Sequence, residues 1–242
     1  MDRHRFSVVI PAYNEAAYLP RLLDSITAAR ARYRGGADAV EVIVADNAST
    51  DATAALAASR GCRVVRVEKR CIGAARNGGA RVATGDVLCF IDADNRIHPD
   101  TFNVIERRMA RGRLVGGATG WTLERRSPGL LCTALVMRLA IGLLRINAGV
   151  VFCRADVFHD LGGYDEGRRY AEDVVFFRAM RAAGRRRGLG TVLSTEAPAV
   201  ISTRKFDSHG DWHMLLLWLW ILRNRSLGKT VDDYWYNEST RF

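Results

Sequence analysis

Two aspartates one residue apart, Asp92 and Asp94, follow the apolar run DVLCFI in the stretch FIDADNRIHP. If that run is a strand, residues two apart project to one face of the sheet. Two carboxylates on one face repel, and burying even one without a partner is expensive. A cation between them removes the repulsion. The pair therefore suggests a cation site at a strand end, if neighbouring elements deliver further polar groups to the same place.

Hydrophobic periodicity identifies those elements. FSVVI, residues 6–10, is a short β-rich run stopped by Pro11. Its near-continuous apolarity suits a parallel strand covered on both faces. VEVIVADNAS (40–49), CRVVRVE and DVLCFI read as three further strands. Between the first two, Leu19, Leu22, Leu23 and Ile26 recur at helical spacing, with Pro20 in the first turn, where its missing N–H is harmless. TDATAALAASRG reads as a helix closed by Gly61, and GAARNGGARVATG as a glycine-rich helix ending at Gly85. This alternation implies a mostly parallel sheet with helices on both faces. Ligands of such sheets bind beyond the carboxyl ends of the strands. Three of these ends carry polar clusters, PAYNE at Pro11–Glu15, DNAS at Asp46–Ser49 and DADN at Asp92–Asn95, all expected on one rim.

Beyond Pro99 the pattern changes. Helices are expected in DTFNVIERRMARG, in the apolar GLLCTALVMRLAIGLLRI, in YAEDVVFFRAMRAAG and in DWHMLLLWLWILRN. LVGGATGWTLERR and TVLSTEAPAVIST read as strands, and AGVVFCRADVFHDLGGYDE as a strand followed by a short helix. No Pro/Ser-rich linker separates the halves, so one continuous domain is expected.

The chain has 242 residues, 48% of them hydrophobic, enough for one large domain or two fused halves. Its net charge of +10 suggests anionic partners: nucleotide phosphates, nucleic acid or an anionic membrane surface. The arginines are scattered, however, and a GC-biased coding style gives the same balance. The five cysteines, Cys62, Cys71, Cys89, Cys132 and Cys153, are odd in number and form no CxxC. That pattern argues against a zinc site or a disulfide framework and fits a reducing compartment. No signal-peptide h-region opens the sequence, and no stretch of eighteen uncharged apolar residues supports a transmembrane helix. The first strand runs into Pro-Ala-Tyr-Asn without a G-x-G-x-x-G turn, which argues against a dinucleotide-binding dehydrogenase. A nucleotidyltransferase would need a glycine-rich basic phosphate loop there. A nucleic-acid-binding module would need an aromatic-basic stacking motif, so nucleic acid is not an expected partner.

VVIPAYNEAAYL, VIVADNASTDAT, GAARNGGARVATGD, FIDADNRIHPD and GGYDEGRRYAEDVVFFRAM, in this order, resemble a family 2 glycosyltransferase of the GT-A fold, over residues 6 to 210. The resemblance implies a mostly parallel α/β sheet with flanking helices, in a single domain over 1–242. A nucleotide-sugar-binding half (1–95) would be fused to an acceptor-binding half (96–210), with an apolar helix and tail at 211–242. It also implies inverting transfer of a sugar from a UDP or GDP donor to an acceptor hydroxyl, with Mg²⁺ or Mn²⁺. Asp94 is then the chief metal ligand, and Asp92 lies nearer the ribose and the metal shell, with Ala93 between them. Pro11 and Tyr13 line the base or ribose, Glu15 reaches the ribose, and Asp46 accepts from the base. Gly73 permits close backbone approach, and Arg76 meets the base or diphosphate. Asp173 matches the catalytic base, and Glu172 binds the acceptor or supports the loop. His209 is a candidate third metal ligand, and Arg204 and Lys205 neutralise diphosphate charge.

Plainer readings stand beside these. Asp92 and Asp94 would cap the turn at Ile97, Glu15 or Asn14 the first helix, and Asp46 would form an Asx-turn. Arg76 would be a solvated helix-face arginine, Asp173 a helix N-terminal acid, and His209 an exposed loop histidine. A non-catalytic nucleotide-sugar-binding protein shares most of these residues. The helix at 130–146, with Arg138 and Arg145, and the segment around Trp218 and Trp220, flanked by Arg223, Arg225 and Lys229, suit a membrane interface. They suit equally a buried position or a dimer contact. The location implied is cytoplasmic, peripheral at the inner face of the membrane if the acceptor is lipid-linked.

Overall fold

A computed structural model describes residues 5–111, 113–144, 149–168 and 171–217. These fall into two compact units, Met1–Thr122 with Asn147–Ile201, and Leu123–Ile146 with Ser202–Phe242.

The first unit opens with β1 (Phe6–Ala12), α1 (Leu19–Arg32), β2 (Val40–Asp46), α2 (Thr53–Ser59), β3 (Arg63–Arg66), α3 (Ile72–Arg81) and β4 (Val87–Phe90). It continues with α4 (Thr101–Arg111), β5 (Leu114–Ala118), β7 (Val151–Arg154), α6 (Ala155–Asp160), α7 (Glu172–Arg186) and β8 (Gly190–Leu193). Seven strands form one sheet in the order β3-β2-β1-β4-β7-β5-β8. Only β7 pairs antiparallel with both of its neighbours, so the sheet is mostly parallel, as the alternation predicts. Strands from either side of residue 95 share it. β6 (Trp121–Leu123) and β9 (Ala199–Ile201) form a separate two-stranded sheet.

All of β1 is buried, the mark of a central strand covered on both faces. Phe6, Val8 and Ile10 pack into one core cluster and Val9 into another. Leu19, Leu22, Leu23 and Ile26 of α1 join the first cluster; each such side chain contributes about 1.5–3 kcal/mol relative to exposure. The strand does not stop at Pro11 but runs through it, pairing Pro11 with Ala45. The Pro11 nitrogen faces the β4 side, where pairing ends at Val9, so no ladder bond is lost. LVGGATGWTLERR is not one strand either. Gly120, at φ 70°, turns the chain from the large sheet into the small one.

Helix α3 lies unusually close to the sheet. A Cβ on Gly79 would sit 2.5 Å from Val9 Cγ1, and one on Gly78 2.5 Å from Val67 Cγ2. This approach buries nearly the whole helix, from Gly73 to Ala80, including Arg76 and Asn77.

The loop before α7 is fastened to the same helix. Asn77 accepts from the Tyr164 amide at 2.8 Å and donates to the Tyr164 carbonyl at 2.9 Å and to Glu166 Oε1 at 3.0 Å. Lys69 and Arg81 reach Glu166 at 3.2 and 3.3 Å. The Asn77 bond, working with these two cations against partial burial, holds the Glu166 carboxyl below the ordinary glutamate value. An acid whose value is lowered by folding stabilises the fold above its unfolded value and loses that contribution as pH falls through the folded one. Glu166→Gln is therefore expected to be less stable than the native chain at pH 7, by on the order of 1 kcal/mol. The gap should close as pH falls below 4.5. Melting curves of both proteins from pH 7 to pH 3 check this; a gap that stays constant would contradict the assignment.

Candidate active site

The register of the parallel strands sets the site. Ala12 at the end of β1 lies beside Asp46 at the end of β2, and Val9 lies beside Phe90 at the end of β4. The chain thus leaves three adjacent strands on one edge, carrying the PAYNE, DNAS and DADN clusters. β1 pairs on one side with β2 and on the other with β4, which makes it the point where strand order reverses and a ligand crevice forms.

The first two loops are stitched together by side chains. Asn14 Oδ1 accepts from the Thr50 amide at 2.8 Å, and Ser49 Oγ accepts from the Asn14 amide at 3.0 Å. Thr53 Oγ1 accepts from the Glu15 amide at 2.8 Å, and Asp51 from the Ala16 amide at 3.1 Å. The Glu15 carbonyl accepts from Tyr18 and Leu19, so its backbone starts α1. Buried Asp46 accepts from the Ser49 amide at 3.2 Å, three residues on and so one further than the expected Asx-turn. Tyr13 is half-buried, with the guanidinium of Arg70 4.7 Å over its ring. Arg70, Thr50 and Thr53 are absent from the sequence-derived site. Only the fold puts them beside the first loop.

Asp92 and Asp94 lie just past β4, in a turn rather than on the strand. The alternation persists: Ala93 between them is buried in the core, and both aspartates are half-exposed. The Asn95 amide closes the turn onto the Asp92 carbonyl at 3.1 Å, and Arg96 pairs with Val200 of β9.

Arg76 is 8% exposed, so it is not a solvated helix-face residue. It donates from one terminal nitrogen to Asp92 Oδ1 at 2.9 Å and from the other to Glu172 Oε1 at 2.7 Å. Its guanidinium lies 5.1 Å over the Tyr164 ring. Burial opposes its charge, yet Asp92, Tyr164, Glu172 and Asp173 together hold its pKa above the usual arginine value. Glu172 is also 8% exposed; burial raises its carboxyl, Arg76 opposes that, and Asp173 adds to it.

Glu172 and Asp173 form the first turn of α7, which follows Ala171 in the left-handed conformation at φ 56°. Asp173 is half-buried and accepts from the Val174 amide at 2.8 Å. Among the described residues, the non-glycine positions at positive φ are Asn14, Ala48 and Ala171, one in each of three motif loops. Such strain, about 1–3 kcal/mol per residue, concentrates where geometry is functional. Gly73 does allow a close approach, and the backbone that approaches is the Asp165 carbonyl, 3.2 Å from where a Cβ would lie.

The first unit thus gathers Pro11, Tyr13, Glu15, Asp46, Gly73, Arg76, Asp92, Ala93, Asp94, Glu172 and Asp173. Arg204 and His209 belong to the second unit, in α8 (Arg204–His209), so the expected loop there is a helix. The His209 ring lies 4.7 Å from that of His213. The side chain of Lys205 is outside the described residues. Among those residues no group of three His, Cys, Asp or Glu side chains is arranged to hold a metal ion. With one Asp92 oxygen engaged by Arg76, the donor set is one or two carboxylates. That fits a hard cation completing its shell with diphosphate oxygens, rather than an all-protein cage.

Residues 7–128 match Glycosyl transferase family 2. The amylovoran biosynthesis glycosyltransferase AmsB of Erwinia amylovora is 37% identical over 119 residues, 44% of this chain and 38% of its own. The undecaprenyl-phosphate 4-deoxy-4-formamido-L-arabinose transferase of Pseudomonas paraeruginosa is 37% identical over 146 residues, 54% of this chain and 41% of its own. The chain thus spans well under two thirds of these relatives. Among solved structures, S. aureus TarS 1-349 in complex with UDP-GlcNAc superposes with a TM-score of 0.66 at 20% identity, over 98% of this chain and 72% of that one. The mannosyltransferase PcManGT from Pyrobaculum calidifontis, in complex with GDP-Man and Mn²⁺, gives 0.65 at 21%, over 92% and 65%. These structures share the fold, and the family match extends over half of the sequence: the chain belongs to glycosyltransferase family 2.

Proposed function

We propose that this protein transfers a sugar, with inversion, from a UDP or GDP sugar to an acceptor hydroxyl. The observation that carries this reading is the convergence on one sheet edge, at the reversal of strand order, of the three polar loops and the first turn of α7. The PAYNE and DNAS loops, with Tyr13 under Arg70 and Asp46 in its turn, would take the nucleoside. The diphosphate would lie toward Asp94, with Asp92 nearer the ribose. Bound there with the donor, Mg²⁺ or Mn²⁺ would offset the charge that develops on the leaving diphosphate. TarS and PcManGT, caught with UDP-GlcNAc and with GDP-Man and Mn²⁺, support this donor class.

Asp173 is the proposed base. The acceptor oxygen attacks the anomeric carbon as its proton passes to the Asp173 carboxylate. The bond from that carbon to the diphosphate oxygen breaks, and the nucleoside diphosphate leaves with the electron pair. Asp173→Asn keeps the shape and removes the proton acceptor. Turnover is expected to fall roughly a hundredfold or more, with nucleotide affinity near native. Transfer at the native rate would refute the base assignment. A native chain that binds a sugar nucleotide and transfers from none would favour the non-catalytic binding protein.

The second unit supports a reading of the acceptor. Its helix α5 (Pro128–Leu144) leaves Leu131, Leu135, Val136, Met137 and Leu139 exposed, with Leu135 at 60% and Leu139 at 66%. Trp212 and Leu216 of the same unit are exposed too. Leu131, Leu135 and Leu139 are four apart and share one helix face. Among the described residues no helix is long and apolar enough to cross a membrane. An apolar face with an exposed tryptophan suits a helix lying in the headgroup region, on a chain whose net charge favours anionic lipid. Such a position fits a lipid-linked acceptor and a peripheral place at the cytoplasmic face. The prenyl-phosphate named in one relative's substrate is consistent with it. Trp218, Trp220 and the basic residues after them lie outside the described residues. Sedimentation with anionic liposomes should show binding at low salt, lost in Leu135→Glu/Leu139→Glu; no binding at any ionic strength would end the proposal.

A further inference from the structure

Arg76 sits between two parts of the site that are distant in sequence. One fork of its guanidinium holds Asp92, beyond β4, and the other holds Glu172, next to Asp173. Two surfaces fix the group in place. The aromatic ring of Tyr164 lies against it, and that ring stacks at 4.3 Å on Phe176 of α7. The backbone beneath is a helix pressed onto the sheet by Gly78 and Gly79. Its third nitrogen, Nε, is buried without a hydrogen-bond partner. A buried donor left unsatisfied is retained where the remaining contacts demand that geometry.

We infer that Arg76 is a positioning residue that sets the spacing between the donor-side turn at Asp92–Asp94 and the Glu172–Asp173 turn, without itself holding the nucleotide. The inference rests on the proposed transfer reaction. One N–H on each terminal nitrogen is engaged by a protein carboxylate, and the side chain is 8% exposed, so little of the group is open to a nucleotide. A planar fork can hold two carboxylates at a set separation, whereas an ammonium is a single point charge. Asp173 is the next residue after Glu172 in the same helical turn. A shift of Glu172 therefore moves the base relative to the sugar's anomeric carbon, and a displacement of about 1 Å is enough to lower turnover about a hundredfold.

The test compares Arg76→Met, Arg76→Lys, Glu172→Gln and the Arg76→Met/Glu172→Gln pair. Calorimetric titration with UDP and GDP plus Mn²⁺ gives affinity and the fraction of binding-competent protein, and turnover is expressed per competent site. Arg76→Met is expected to lose about a hundredfold in kcat while nucleotide affinity changes less than about threefold. Arg76→Lys should recover part of that loss, because charge returns without the fork. The pair should be no slower than Arg76→Met alone, since residues acting as a unit are non-additive. The inference is overturned if Arg76→Met keeps kcat within about threefold of native, or if affinity falls and kcat does not. It is overturned also if the losses of the two single variants simply add in the pair. If Arg76→Met does not fold, Glu172→Gln and Arg76→Lys decide: both should lower kcat at native nucleotide affinity, and native kcat in both overturns the inference. A native protein that transfers no sugar sinks the proposed function instead, a result separate from any of these.

Discussion

A buried guanidinium shared by two carboxylates is the contact on which the rest of the site depends. Asp92, Glu172 and Asp173 surround Arg76 and support its charge against burial. Taking Arg76 away would leave the buried Glu172 carboxylate without its cation, a change that in buried pairs costs about 3–5 kcal/mol. The contact requires α3 to lie flat against β1, β2 and the residue after β3, an approach in which a Cβ at 79 would meet Val9 and one at 78 would meet Val67. A short glycine pair in the sequence is thus the reason an arginine can sit inside a sheet edge crowded with acids.

This arrangement divides the acidic residues by task. Asp92 and Glu172 are tied to the protein. Asp94 and Asp173 are half-exposed. The tied pair sets the framework, and in the proposed reaction the other pair faces the metal-bound diphosphate and the acceptor proton. The left-handed residues Ala48 and Ala171 and the stitching of Asn14 to Thr50 belong to the same logic. They hold loop backbones in conformations that the chain would not adopt locally.

Much of this was legible in the sequence, and the missing parts share a cause. The strand ends could be read because apolar runs that stop at polar clusters are local signals. Parallel register then carried the three clusters to one rim with no further information. Pro11 reads as a stop because a proline normally ends pairing; its position beyond the β4 pairing makes it harmless. Arg76 resisted because helix periodicity assumes a solvated face, and α3 has almost none. Its partners Asp92 and Glu172 lie 16 and 96 residues away, separations to which no local pattern responds. The residues proposed for the donor come from motif resemblance, whereas Arg70 and Thr53 reach the first loop through packing alone. The apolar stretch at 130–146 was recognised, but exposure of its leucines is a tertiary property.

The proposed transfer requires the rim to bind a nucleoside diphosphate together with a divalent cation, through Asp94. Calorimetric titration of UDP and GDP into the native chain and Asp94→Ala, each with Mn²⁺ and with excess chelator, tests it directly. One of the two nucleotides should bind the native chain at least about tenfold more tightly with Mn²⁺, an increment of about 1.4 kcal/mol, and Asp94→Ala should lose that increment. Equal affinity in chelator, or an increment that survives in Asp94→Ala, would contradict the account.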